Sequence, residues 1–461
     1  MYKLLYVVMS VACQSVSEYL VPIDHFDVKQ VNNTFPLRYY YNTTYQDAGQ
    51  CRILFVLGGE GAANLGKMAP FVSERLAAEH RAGVLHSEHR FYGQSLREEN
   101  FKNNLSLLTI DQALRDYAAL LVHVMDGRSC EVVAVGGSYP GTLAILFRMM
   151  YPWLITAAYA SSAPIKYLTN EAVETEYYQI VEATAKRANA ACPTAVRRVL
   201  DQVLASERQS IVDELNLCAS HEKFVNLQDE LVQAVRVHFA NLNMAAYPLG
   251  NSRLKKLCDQ LVDPGNNGQS TLFDAVLNNT SEANGCKDFS RLAPADSATV
   301  TCSDVTGCGL DQDGLHWDWQ ACTEHVMLIG SGDAMFPRLV GDYVRLEQYC
   351  QKRFAVRPAG FRTGSLIFPG ESVKNIAAVT GKILFVNGQN DGWTAGCIRE
   401  STGRDLVVVE IEDGAHHSEM GADKVGDTEE MKNVRKTISK IIGGFFSPKK
   451  GEEYLVDVLV A

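Results

Sequence analysis

The segment that most constrains the fold runs from Glu131 to Met150. A short β-branched run, Glu131–Val135, leads through Gly136-Gly137-Ser138 into an apolar helical stretch, Gly141–Met150. Apolar residues at every position from Val132 to Val135 mark a strand buried on both faces, and a strand passing directly into a helix belongs to a parallel sheet. The neighbouring segments repeat the alternation. Arg52–Leu57 ends in Gly58-Gly59-Glu60-Gly61, a helical pattern follows at Ala69–His80, and Gly83–Ser87 reads as a strand. Ile110–Met125 reads as a helix and Ile155–Ala160 as the next strand. Residues 35–165 therefore predict a parallel sheet with helices on both faces, an α/β class.

From about Lys166 the pattern changes to long helical stretches, Glu171–Ala191, Thr194–Ser206 and Leu227–Phe239, followed by loops rich in Asn, Gly and Cys. Strands resume at Lys382–Val386 and Leu406–Ile411, and a helix at Met431–Ile442 closes the chain. This predicts a body of residues 18–165 and 331–461, split by an inserted, mostly helical, disulfide-containing cap of residues 166–330. With 461 residues and 46% hydrophobic content, the chain has ample material for such a core.

The first 17 residues predict a secretory signal peptide: Lys3, an apolar stretch from Leu4 to Ala12, then small or polar residues. That stretch is too short to span a bilayer, so a soluble mature protein is expected. Cysteine usage fits export. Seven of 12 cysteines (Cys192, Cys218, Cys258, Cys286, Cys302, Cys308 and Cys322) fall in the cap region without CxxC spacing, which favours disulfides over zinc. If Cys13 leaves with the signal, 11 remain and at least one is a free thiol. No metal and no cofactor is expected. Acceptor sequons begin at Asn32, Asn42, Asn104, Asn278 and Asn279. A net charge of -11 without a basic cluster argues against nucleic acid or an anionic membrane as partner.

Ser138 stands where a sharp strand-to-helix turn lifts a hydroxyl clear of a sheet, and the Tyr139 N–H at the helix start can stabilise an oxyanion. A serine nucleophile needs a base and a carboxylate to orient it. Both follow in the order this fold uses: Asp391 after the Lys382–Val386 strand, His416 after the Leu406–Ile411 strand. The Glu60 N–H, after the first core strand, is the expected second oxyanion donor. Pro140 departs from the usual G-x-S-x-G, and it restrains Tyr139 away from the helical region.

Several motifs together resemble the lysosomal prolyl carboxypeptidase and dipeptidyl peptidase II family of serine peptidases. They are Gly136-Gly137-Ser138-Tyr139, Ser161-Ser162-Ala163-Pro164, Glu88 through Leu96, Trp319-Gln320-Ala321-Cys322-Thr323-Glu324, Asn387-Gly388 through Asp391-Gly392-Trp393, and Gly414-Ala415-His416-His417. The resemblance covers nearly the whole mature chain. It implies an α/β-hydrolase body with a helical cap, cleavage next to proline or a small residue, and His416 rather than His417 as the base. Trp393 resembles a pocket wall. Glu324 and Asp333 are candidates to hold a substrate ammonium. Against the family pattern, Pro140 replaces Gly, Gly392 replaces Pro, Ser418-Glu419 replace Leu-Asp, and Thr142 replaces a methionine common in prolyl carboxypeptidase.

The expected function is a serine exopeptidase, either a carboxypeptidase or a dipeptidyl aminopeptidase. Peptides are its expected partners, and a homodimer is left open. The expected location is the secretory pathway, in a lysosome or other acidic compartment, or outside the cell. An esterase or lipase with the same triad, and a non-catalytic secreted binding protein, are the alternatives.

Overall fold

The computed structural model describes residues 16–446 except 30–31, 96–104, 283–284, 295–296, 298, 359–371 and 404. Residues 1–15 of the expected leader and the sequon at Asn104 lie outside this set.

Eight strands form one sheet in the order β1-β2-β4-β3-β5-β6-β7-β8. They are β1 (Ser17–Pro22), β2 (Thr34–Asn42), β3 (Arg52–Val56), β4 (Gly83–Ser87), β5 (Glu131–Gly137), β6 (Ala157–Ser161), β7 (Ile383–Gly388) and β8 (Leu406–Ile411). The six strands from β4 to β8 run parallel. At one edge the sheet departs from the all-parallel expectation, because β1 and β2 pair antiparallel with each other and β2 pairs antiparallel with β4. These edge strands include polar residues, Ser17 and Glu18 in β1 and Thr34, Arg38 and Asn42 in β2, and are less fully buried than the central strands. The edge also begins at Ser17, the last residue of the expected leader.

Alternate residues of the central strands feed two cores, as the two-residue repeat of a strand requires. Ile53, Phe55, Val132 and Ala134 join the core that continues into the cap. Leu54, Val56, Val133 and Val135 join the core on the other face. Helix α1 (Ile110–Met125) covers the first face. It starts where Thr109 Oγ1 accepts the Gln112 N–H and stops where Asp126 turns left-handed at φ 48°. Helix α2 (Tyr139–Met150) packs beside it.

Between β6 and β7 the chain is mostly helical and includes Glu176–Ala188, Cys192–Ala205, α3 (Leu227–Met244) and α4 (Gln312–Thr323). Helix α5 (Glu429–Phe445) covers the second face through Met431, Ile438 and Ile442. Disulfides join Cys192 to Cys258, Cys218 to Cys286, Cys302 to Cys308 and Cys322 to Cys350 in the insertion, and Cys51 to Cys130 in the body. The Cys322–Cys350 bond ties α4 to Tyr343–Phe354, across the boundary expected at residue 330. Cys397 is a buried free thiol. Asn32 and Asn278 are exposed, whereas Asn42 Oδ1 accepts the Thr44 N–H at 2.8 Å within its own sequon.

Candidate active site

Strand β5 delivers Ser138 at φ 61° and ψ −132°, a strained backbone held from both sides. The Ser138 N–H donates to Ser161 O at 2.8 Å, and Ser138 O accepts the Thr142 N–H at 3.1 Å. The preceding glycines are required by space. A methyl group on Gly136 would lie 2.1 Å from Pro140 O, and one on Gly137 would lie 3.1 Å from the His417 ring. Helix α2 starts at Tyr139, inside the helical pattern despite the following proline. Pro140 falls in the first turn, where its missing N–H would have had no helical partner.

Asp391 is fully buried at the turn after β7. Its Oδ1 accepts the Trp393 N–H at 3.1 Å, and its Oδ2 lies 2.8 Å from His416 Nδ1. The carboxylate fixes the proton on Nδ1 and leaves Nε2 as the basic nitrogen. The adjacent His417 also lines the cavity, its ring centroid 4.5 Å from that of His416, but it makes no bond to Asp391 among the described residues. Its N–H donates to Ser162 Oγ at 3.0 Å, and burial pulls its ring pKa down to about 3. His416 rather than His417 is thus the ring joined to the acid. Ser138 and His416 line one cavity of about 590 Å³, with no hydrogen bond between their side chains among the described residues.

Gly392 departs from the family pattern in a way the cap exploits. Its N–H, which proline would lack, donates to Asn243 Oδ1 at 2.7 Å. The Tyr177 ring lies so close that a methyl group there would be 2.8 Å from it. The substitution joins the turn carrying Asp391 to two cap helices.

The Tyr139 phenol anchors the helix start. Its oxygen accepts from Gln320 Nε2 at 3.0 Å and lies 3.2 Å from His89 Nε2. His89 Nδ1 lies 2.8 Å from Arg90 O, so Nδ1–H donates there and Nε2 accepts from the phenol. Burial lowers the His89 pKa to about 4, which keeps this neutral arrangement.

Glu60, Tyr139 and Trp393 also line the cavity. The Trp393 ring is braced edge-on by Tyr177 at 5.0 Å and Tyr167 at 6.1 Å, and forms a flat apolar wall. The other two candidates stand elsewhere. Glu324 Oε2 accepts the Ile110 N–H at 3.1 Å at the start of α1. Asp333 is exposed and pairs with Arg197 at 2.5 Å. Neither lines the cavity.

The carboxylate that does reach the cavity from the insertion is Asp304, inside the small Cys302–Cys308 disulfide loop. Its Oδ1 accepts the Thr306 N–H and Oγ1–H, and its Oδ2 accepts Trp317 Nε1–H at 3.1 Å. Burial pushes the carboxyls of both Asp304 and Glu60 up, and the Asp304 charge adds to the effect on Glu60. Sequence reasoning missed Asp304 because nothing beside it repeats a motif. The tight Cys-Ser-Asp-Val-Thr-Gly-Cys loop was the available signal.

A mostly parallel sheet, a strained serine at the end of its central strand, an Asp–His pair on the following strand ends and an inserted helical cap define an α/β hydrolase. The chain matches the family described as serine carboxypeptidase S28 over residues 21–438. It belongs to that family of serine-type peptidases. It is 30% identical over 454 residues to the lysosomal Pro-X carboxypeptidase of Mus musculus, covering 90% of this chain and 87% of that one. The Homo sapiens protein of the same name is 30% identical over 429 residues, covering 86% and 81%. The thymus-specific serine protease of Mus musculus is 27% identical over 450 residues, covering 91% and 85%.

Proposed function

We propose that this peptidase is a dipeptidyl aminopeptidase. It binds a free N-terminal ammonium and releases a dipeptide ending in proline or another small residue. The observation that carries this reading is the charge of the cavity. A buried carboxylate, Asp304, and a half-buried one, Glu60, line it with Ser138, and no lysine or arginine is among the described residues that do so. A carboxypeptidase needs a cation for the substrate carboxylate, while an ammonium suits this wall. Because burial raises both carboxyls, an incoming ammonium stabilises their ionised forms and orients the substrate at the same time.

In the proposed mechanism, His416 Nε2 takes the proton from Ser138 Oγ as the oxygen bonds to the scissile carbonyl carbon. The Ser138–His416 hydrogen bond closes on substrate binding, as such contacts often do. The N–H groups of Tyr139 and Glu60 hold the oxyanion. The C–N bond breaks, His416 passes its proton to the leaving amine, and water attacks the acyl-enzyme with the same base. Trp393 supplies a face for a proline ring. The lysosomal relatives and the five disulfides support routing through the secretory pathway to an acidic compartment.

A paired assay at acidic pH tests the reading. One peptide carries a free N-terminus with proline second, and the other carries proline next to a free C-terminus. Faster release of the N-terminal dipeptide is expected. Release only of the C-terminal residue would replace the reading with the Pro-X carboxypeptidase activity named for the relatives.

A further inference from the structure

His325 follows α4, where its N–H donates to Gln320 O at 2.8 Å. Its side chain is buried and contributes to the cavity that holds Ser138. The ring stands edge-on to Tyr139, with centroids 5.9 Å apart, and tilts against Trp317 at 5.8 Å. Neither Nδ1 nor Nε2 has a hydrogen-bond partner among the described residues.

The other polar groups of this wall are engaged. Trp317 Nε1 donates to Asp304, Tyr139 Oη is held by Gln320 and His89, and His416 Nδ1 is held by Asp391. A buried imidazole without a partner costs free energy that an apolar side chain of similar size would not. Such a group at a substrate cavity is explained when the substrate supplies the partner. Burial keeps the ring neutral down to about pH 4, so in mild acid it offers one N–H donor and one lone pair.

Resting on the dipeptidyl aminopeptidase reading above, we propose that His325 is a specificity-determining residue. It reads the substrate side chain next to the scissile carbonyl and favours a neutral hydroxyl or carboxamide over an apolar group of the same size. His325 lines the same cavity as Ser138, and its ring packs on Tyr139, the residue after the serine, which puts it on the wall met by a side chain entering with the scissile carbonyl. The chemistry of the wall selects the neutral class. Glu60 and Asp304 repel an acidic side chain and draw a basic one to themselves. A hydroxyl or carboxamide both donates and accepts, which matches a neutral imidazole.

The test uses fluorogenic dipeptide amides with Lys first and Gln, Met, Ser, Ala or Pro second, on the full-length enzyme and on His325→Leu and His325→Asn. Gln and Met are near-isosteric, so their kcat/KM ratio isolates the hydrogen-bonding group and is independent of the fraction of folded enzyme. A Gln-to-Met ratio of about 5 to 10 is expected for the wild type, from one net hydrogen bond. In His325→Leu the ratio falls to one or below, and in His325→Asn it keeps an intermediate value. A wild-type ratio of one or below overturns the inference, as does an unchanged ratio in His325→Leu. No turnover of any of the five substrates sinks the dipeptidyl aminopeptidase reading together with this one, whereas turnover with a flat ratio sinks only this one.

Discussion

Gly59 lies against the ring of Pro140: a methyl group added to Gly59 would sit 2.3 Å from Pro140 Cγ and 2.7 Å from Cδ. The proline that departs from the usual elbow pattern is therefore matched by a glycine on the opposite loop, next to the candidate oxyanion donor Glu60. Gly59→Ala is expected to push the two loops apart and lower kcat/KM by roughly 10- to 100-fold, since displacements of about 1 Å cost that much. Pro140→Gly in the same chain restores most of the loss. A double-mutant cycle checks it, and additive effects would show that the two residues act separately.

The ammonium reading makes Asp304 measurable. Asp304→Asn keeps an acceptor for Thr306 but removes the charge. It is expected to lower kcat/KM for a free-amine dipeptide amide by about 10- to 100-fold, the worth of a hydrogen bond to a charged group. The same peptide with an acetylated N-terminus serves as the internal reference. Equal losses on both would assign Asp304 to holding Trp317 and Thr306 alone.

Arg90 holds the body together beneath the site. Its guanidinium is fully buried and reaches Asp116 at 2.7 and 3.0 Å, with further bonds to Pro22 O, Ile23 O and Leu107 O. His25 Nε2 approaches the same carboxylate at 2.7 Å. Arg90→Met leaves Asp116 a buried charge short of its main partner, and a loss of roughly 3–5 kcal/mol is expected. The urea midpoint reads it. A shift under about 1 kcal/mol would mean that the pair is replaceable by packing alone.

Buried neutral histidines couple stability to pH. His316 Nδ1 lies 2.6 Å from Phe91 O and its Nε2 lies 3.1 Å from Gln312 Nε2, an arrangement that uses one N–H and one lone pair. Burial lowers its pKa to about 4. As pH falls from about 6.5 the unfolded chain binds this proton first, so the contribution is present above 6.5 and is lost toward 4. His316→Asn removes the titration. Its stability deficit relative to wild type is expected to shrink by up to about 1.4 kcal/mol per pH unit across that window. A deficit independent of pH would contradict the assignment.

Candidates on the body were readable because each sits at the end of a strand whose apolar run is local in sequence. Ser138, Asp391 and His416 each follow such a run, and the structure brings Asp391 and His416 to 2.8 Å. The antiparallel edge was missed because β1 and β2 show neither a continuous apolar run nor a clean alternation and lie beside the expected leader. Cap chemistry was the least readable. Glu324 and Asp333 come from a recognisable segment, yet one caps α1 and the other pairs with Arg197 on the surface. Asp304 and His325 reach the cavity only through a disulfide loop and a helix end that long-range packing positions. Gly392 read as a departure, and its use by Asn243 and Tyr177 became visible only in three dimensions.

The central claim is that Ser138 is the nucleophile, activated by His416 and Asp391. The most direct test is labelling of the folded protein with a fluorophosphonate, followed by mass mapping of the modified peptide. A single adduct on Ser138 is expected, absent in Ser138→Ala and slowed by about 10³-fold or more in His416→Ala. An unlabelled wild-type protein, or labelling that persists unchanged in Ser138→Ala, would contradict it.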